Sequence, residues 1–462
     1  MDLLFSPLDV RYRKDLPESL SESELLRLQA EVEVEWLLTL MREGLCPKLS
    51  DKKLREICLG VTAEEVEAIE ARTRHATRAL VEAIAARLTE AGYPKIADWV
   101  HVGLTSFDTV DTAARLRVKR YFERDGLEAV RALKEQLWQW ADKHRETPQV
   151  GRTHGQWAVP TVFGLGFAEA LERICVLEER LKAALEGLRG QASGAIGGYH
   201  ATSLLAKNPL KLEADFLEGL GLKPHYGSIQ ILPPEDILSV AQDFASIAAV
   251  AAKLAGDLRH LARSEINEIA EGFAAGQVGS STMPQKRNPW NLEHVCSLHK
   301  VLLSRLHLLE LDLVTEHQRD LTNSASGRFH AEVFMTAHLM LRRLTKILER
   351  MEAQPKKMKV HLEAAGSSVL AEALYILGTK QGVSHAHDVI REAARESERS
   401  GQTLFAVVKG QGWLPKGMDL KALEAECLKG SKVKIDAILK SRRVKAGAKA
   451  PKGGPSVRRR RT

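Results

Sequence analysis

The stretch Asn291-Leu292-Glu293-His294-Val295-Cys296-Ser297-Leu298-His299-Lys300-Val301-Leu302-Leu303-Ser304-Arg305-Leu306-His307-Leu308-Leu309-Glu310-Leu311-Asp312-Leu313 contains no Gly or Pro. Its Val295, Leu298, Val301, Leu302, Leu303, Leu306, Leu308, Leu309, Leu311 and Leu313 cover nearly every face of a helix, the pattern of a helix surrounded by other helices. A lone subunit would expose much of that area, so the pattern points to a homo-oligomeric bundle with closed symmetry. Two further segments, Val162–Leu188 and Asp236–Ala270, match Asn291–His317 in running longer than an ordinary globular helix between Pro or Gly boundaries. Aromatic residues are only 5% of the chain, and long stretches are rich in Ala, Leu, Glu, Lys and Arg. The fold class expected is all-α. It divides into an N-terminal domain of shorter helices over 1–109, a central long-helix bundle over 110–358, a small C-terminal helical domain over 359–441 and a basic tail over 442–462.

The 462 residues suffice for a large core without staples. Cys46, Cys58, Cys175, Cys296 and Cys427 are odd in number, scattered and without a Cys-x-x-Cys pair, which argues against disulfide frameworks and zinc and for a cytoplasmic setting. The start lacks the basic and apolar run of a secretory leader, and no later segment reads as an uncharged bilayer span. The formal charge is +7, but Ser441 to Thr462 hold nine Lys or Arg and no acid; +7 less nine leaves −2 for the rest. Basicity therefore belongs to a tail too poor in apolar residues to fold alone. The tail reads as a disordered solubilising segment, with RNA or another polyanion as its alternative partner.

Four loops carry the chemistry. Gly279-Ser280-Ser281-Thr282-Met283-Pro284-Gln285-Lys286-Arg287-Asn288-Pro289 cannot be helical throughout, so Ser280 and Ser281 can present hydroxyls and backbone N–H groups while Lys286 and Asn288 supply donors for an anion. Gly151-Arg152-Thr153-His154-Gly155-Gln156 reads as a glycine-flanked turn before a helix starting near Pro160, leaving Thr153 and His154 with free polar groups. In His101-Val102-Gly103-Leu104-Thr105-Ser106-Phe107-Asp108, Thr105 and Ser106 can bond a carboxylate and also cap the next helix. Between His317 and Arg328, Arg319, Ser324 and Arg328 suit a phosphate, because guanidinium forks match its oxygens. No metal-ligand spacing and no Gly-rich nucleotide loop is present, so neither metal nor cofactor is expected.

The Ser280 loop resembles the signature of the fumarase/aspartase superfamily. The His101, His154 and Arg319 regions, with Arg11-Tyr12, resemble the corresponding elements of the adenylosuccinate lyases within it. The resemblance runs from Arg11 through the C-terminal domain. It implies a homotetramer whose active sites are shared between subunits, and a β-elimination that releases fumarate from succinylated purine nucleotides. It also implies roles: Ser280 as base, His154 as acid oriented by Glu293, and Lys286 and Asn288 stabilising the developing charge. Arg11, Tyr12, Arg74, His75, Thr105, Ser106, Thr153, Gln230, Ser281, Met283, Arg319, Ser324 and Arg328 are the implied substrate contacts.

Three positions depart from the pattern. Thr73-Arg74-His75-Ala76 lacks the acid that follows the histidine in the family, Gly190-Gln191 replaces Gly-Lys, and Asp236 falls one residue late behind Pro233-Pro234. They lie around the substrate rather than the base and acid, so two other readings stay open. One is a fumarate-releasing lyase acting on another succinylated compound; the other is a non-catalytic lyase-like scaffold that binds RNA through its tail.

Overall fold

Short polar side chains write the helix starts. Oγ of Ser21 accepts the Glu24 N–H ahead of Glu22–Arg42, and Thr62, Asn208, Thr403 and Asp419 cap the helices that follow them in the same way. The computed structural model describes residues 6–272, 282–283 and 285–442. Of the described residues, 67% are helical. Six strands, none longer than seven residues, occur among the described residues, so the fold is all-α.

The described chain forms two compact units. One comprises the residues through Arg131 with Val176–Gly256 and Trp290–Lys346; the other comprises Ala132–Cys175, Asp257–Pro289 and the chain from Ile347 onward. In the first unit, helix Glu22–Arg42 is 21 residues long, where only shorter helices were expected before residue 109. It buries Leu28, Val32, Trp36, Leu37 and Leu40, with Trp36 edge-on to Phe216 at 5.3 Å and donating to the Val102 carbonyl at 2.8 Å. The same helix buries Glu31, Glu33 and Glu35, which no apolar surface tolerates unpaired. Arg27 and Arg120 meet Glu31, Arg42 and Arg55 meet Glu35, and Thr109 and His101 meet Glu33.

Helix Trp290–Leu311 shows in the single chain the uncovered apolar area that its leucines predict for a lone subunit. Leu292, Val295, Leu298, Leu302 and Leu309 form one buried stripe, while Val301 is 44%, Leu303 49% and Leu311 59% exposed. The helix also stops at Leu311 rather than His317. Asp236–Ala270 is realised as helix Glu235–Leu261, with Ile269–Ala270 in a strand. The stretches Glu235–Leu261 and Pro355–Lys380 reach the length and apolarity of a bilayer span, contrary to expectation. Most of the first is buried inside the protein, and Gly366 interrupts the second with a positive φ.

Val162–Leu188 is realised as helix Leu165–Glu186, and the helix expected from Pro160 is instead a strand of the second unit. Strands Pro148–Thr153 and Gln156–Val162 pair antiparallel as a hairpin. Val150 of the hairpin joins a core of Leu362, Val369, Leu374, Ile390, Phe405 and Leu423. The pattern Gln-Trp-Ala-Val-Pro-Thr-Val has the β-branched residues of a strand, and Pro160 stands where its missing N–H is tolerated.

Candidate functional site

The hairpin places His154 through backbone geometry alone. Thr153 pairs with Gln156, leaving His154-Gly155 as a two-residue loop with φ of 55° and 76°. Two left-handed residues make the turn whose twist matches the flanking strands, and histidine is one of the few non-glycine residues that enters that region readily. Thr153, His154 and Gly155 are all exposed at the tip.

The hairpin stem is fixed by one carboxylate. Glu268, with a fully buried side chain, accepts from Arg152 at 2.7 and 3.1 Å, from Gln149 at 2.6 Å and from His361 Nδ1 at 2.7 Å. Burial pushes the Glu268 carboxyl up, but hydrogen bonds from Arg152, His361 and Gln149 outweigh it and hold it below the ordinary glutamate range. In the signature loop, the Lys286 N–H donates to the Met283 carbonyl at 3.0 Å, Met283 and Lys286 are exposed and Asn288 is half-buried. Ser280 and Ser281 lie outside the described residues.

Most of the substrate-contact candidates lie in the first unit. Thr105 is the N-cap and Ser106 the first residue of helix Ser106–Tyr121. The Asp108 carboxylate accepts the Thr105 N–H at 2.8 Å and those of Ser193 and Gly194 at 3.1 and 3.2 Å, binding the Thr105 turn to the Ser193-Gly194-Ala195 segment. The Arg319 guanidinium lies 3.4 Å from the Phe107 ring centroid, a cation–π contact that brings Arg319 beside Ser106 in the chain. Gln230 donates its side-chain amide to Ala195 O at 2.9 Å and its N–H to Gln318 O at 3.2 Å. Thr105, Ser106, Gln230 and Arg319 thus share one connected framework.

The loop bearing Ser324 and Arg328 is folded around Asp312. Its Oδ1 accepts from Ser326 at 2.8 Å, its Oδ2 meets His330 Nε2 at 2.6 Å and its carbonyl accepts from Asn323 at 2.7 Å, leaving Ser324 and Arg328 exposed. Arg11 is exposed, Tyr12 half-buried, and Glu293 sits exposed in the first turn of Trp290–Leu311. Burial lowers the pKa of His294, next to Glu293, and the charges of Arg343 and Arg11 lower it further. Arg11 and Glu293 therefore act on the same imidazole.

The departures acquire physical explanations. Arg74 ends one helix in a left-handed conformation (φ 55°), and His75 caps the next, its Nδ1 accepting the Arg78 N–H at 3.2 Å. A backbone donor thereby orients His75 without the missing acid and places its ring hydrogen on Nε2. Asp236 pairs with buried Arg115 at 3.1 Å and so serves the framework. Glu33, which none of the four motifs contains, accepts from Thr109 at 2.6 Å and from His101 Nδ1 at 2.8 Å and holds the turn leading to Thr105. Its signal was three glutamates at alternate positions of one apolar helix, which cannot all face water.

A pH effect follows from Asp108. Burial raises its carboxyl to about 7 against the lowering effect of its backbone donors, from an ordinary 3.8. A folded pKa above the unfolded one means that the folded chain holds the proton more tightly, so this contribution to stability falls as pH rises from 3.8 to about 7. Urea midpoints should decline over that interval more steeply for the native protein than for Asp108→Asn. Parallel pH profiles would contradict it.

Among the described residues no three His, Cys, Asp or Glu side chains gather as metal ligands. A lyase family model matches residues 51–301, and a model of the adenylosuccinate lyase C-terminal region matches residues 315–426. The adenylosuccinate lyase of Archaeoglobus fulgidus is 33% identical over 87% of this chain and 89% of its own length. That of Pyrococcus horikoshii is 34% identical over 90% and 92%. The chain belongs to the adenylosuccinate lyase family. Solved structures share the family's fold at lower identity. The 3-carboxy-cis,cis-muconate lactonizing enzyme of Pseudomonas putida superposes with a TM-score of 0.80 at 22% identity, covering 94% of this chain and 99% of its own. A fumarate lyase of Mesorhizobium sp. BNC1 gives 0.77 at 22%, covering 92% and 96%.

Proposed function

We propose that this chain is a carbon–nitrogen lyase of purine nucleotide synthesis, cleaving adenylosuccinate to AMP and fumarate and the succinylated aminoimidazole carboxamide ribotide to its carboxamide and fumarate. Similarity to adenylosuccinate lyases over nearly the whole chain is the observation that carries this reading. The bond to break joins nitrogen to a carbon whose neighbour bears a proton acidified by a carboxylate. Ser280 takes that proton, Lys286, Asn288 and loop N–H groups stabilise the charge that develops on the carboxylate, and His154 protonates the departing nitrogen. A neutral serine is too weak a base, so Ser280 is activated when its loop closes on the dianionic succinyl group and excludes water. Arg319, Ser324 and Arg328 with Arg11 and Tyr12 hold the phosphate, while Arg74, His75, Thr105, Ser106, Thr153, Gln230, Ser281 and Met283 hold the remainder of the substrate.

Four subunits assemble with shared active sites, Glu293 orienting His154 across subunits. The exposed apolar side chains of Val301, Leu303 and Leu311 support such an assembly, because an interface would cover them. A cytoplasmic setting is supported by five cysteines, none in a disulfide, with burial pushing the Cys58 thiol up to about 12. The basic tail beyond Arg442, outside the described residues, is dispensable for turnover. Incubating the full chain and a chain ending at Arg442 with each succinylated nucleotide, and following the ultraviolet change on cleavage, should give equal rates. Silence of both proteins with both substrates would redirect the assignment to another succinylated amine.

A further inference from the structure

Gln191 is fully buried, and nothing in the reaction uses it. Its backbone is clamped to helix Ser106–Tyr121: its N–H donates to Thr112 Oγ1 at 3.1 Å, and the same hydroxyl donates to its carbonyl at 3.3 Å. The side chain therefore starts from a fixed origin. Its Nε2 donates to the carbonyl of Gln230 at 2.8 Å, whereas its Oε1 is buried with no hydrogen-bond partner. A buried acceptor left without a donor lowers stability, so the amide is held there for its donor half at a cost to the fold.

The segment it grips is held at further points. Ser228 Oγ donates to Ser193 Oγ at 3.0 Å, the Leu232 N–H donates to Asp111 at 2.8 Å, and a Cβ on Gly197 would come within 2.3 Å of the Ser228 carbonyl. From Gln230 the connection continues through its N–H to Gln318 O, next to the Arg319 that stacks on Phe107.

We propose that Gln191 is a positioning residue: its buried amide sets the height of the Gln230 segment and, through Gln318, the placement of Arg319 against the substrate. The role rests on the lyase reading above, but the geometry of the segment does not depend on it. Leucine, of similar volume, removes both the donor and the orphan acceptor. In Gln191→Leu, KM for adenylosuccinate should rise by a few-fold to about tenfold with kcat changed far less, while the thermal midpoint stays near the native value, the Gln230 carbonyl replacing Oε1 as the unpaired acceptor. A merely structural residue would instead show KM and stability worsening together. Gln191→Lys, which keeps a donor of sufficient reach, should return KM toward the native value. Hydrogen exchange supplies a readout independent of turnover: amides of 228–232 should exchange about tenfold faster in Gln191→Leu. Unchanged exchange there overturns the proposal whether or not the native protein releases fumarate. Faster exchange in Gln191→Leu, with no fumarate released by the native protein, would instead leave the positioning intact and remove the lyase reading. Faster exchange with an unchanged KM also overturns it, since Gln191 would then hold the segment without serving the substrate.

Discussion

His154→Asn should lower the turnover of adenylosuccinate by about 10²–10⁴, the usual effect of removing a general acid. The departing group is a nitrogen that leaves poorly as an anion, so the loss falls on the chemical step. Asparagine is the informative replacement because it occupies left-handed conformations readily and keeps the two-residue turn at φ 55° and 76°. The exposed tip makes no core contact, so the thermal midpoint should stay within a degree or two. Steady-state kinetics beside a melting curve test this. Retention of more than a tenth of native turnover would remove His154 from the proton transfer.

Glu268→Ala should destabilise the unit containing the hairpin by about 3–5 kcal/mol, because it leaves a largely buried guanidinium without its carboxylate. The Arg152 side chain is only 17% exposed, and Gln149 and His361 lose their acceptor in the same step. The sign with pH is opposite to that of Asp108. Glu268 has a folded pKa below its ordinary 4.5, so its contribution is fully present above that value and is lost as pH falls through the folded pKa. Hydrogen exchange across 148–162 reads the effect where it acts, and those amides should lose protection before the first unit does. Because the same carboxylate fixes the hairpin stem, kcat should fall as well. A loss below about 1 kcal/mol would mean that the hairpin stands without it.

Helix content and the cores of the long helices were legible because apolar residues recur with helical spacing over many turns, as in Glu235–Leu261. The hairpin was not, since the Pro160 read as a helix start serves a strand, and a His-Gly turn is a weaker signal than Asn-Gly. The candidate loops could be read as local motifs, each chemistry-bearing residue lying beside glycine or proline. What holds those loops could not. Gln149, Arg152 and His361 meet on the Glu268 carboxylate, and Gln191 reaches Gln230, through separations that no local spacing encodes. The exposed leucines of Trp290–Leu311 show the converse limit, because the leucine pattern registers surface to be covered without saying which copy covers it.

Proton NMR of adenylosuccinate incubated with the purified chain, with Ser280→Ala alongside, tests the central claim most directly. The vinyl signal of fumarate should grow in a one-to-one ratio with AMP for the native protein and be nearly absent for Ser280→Ala. No fumarate from the native protein, or equal fumarate from both, would contradict it.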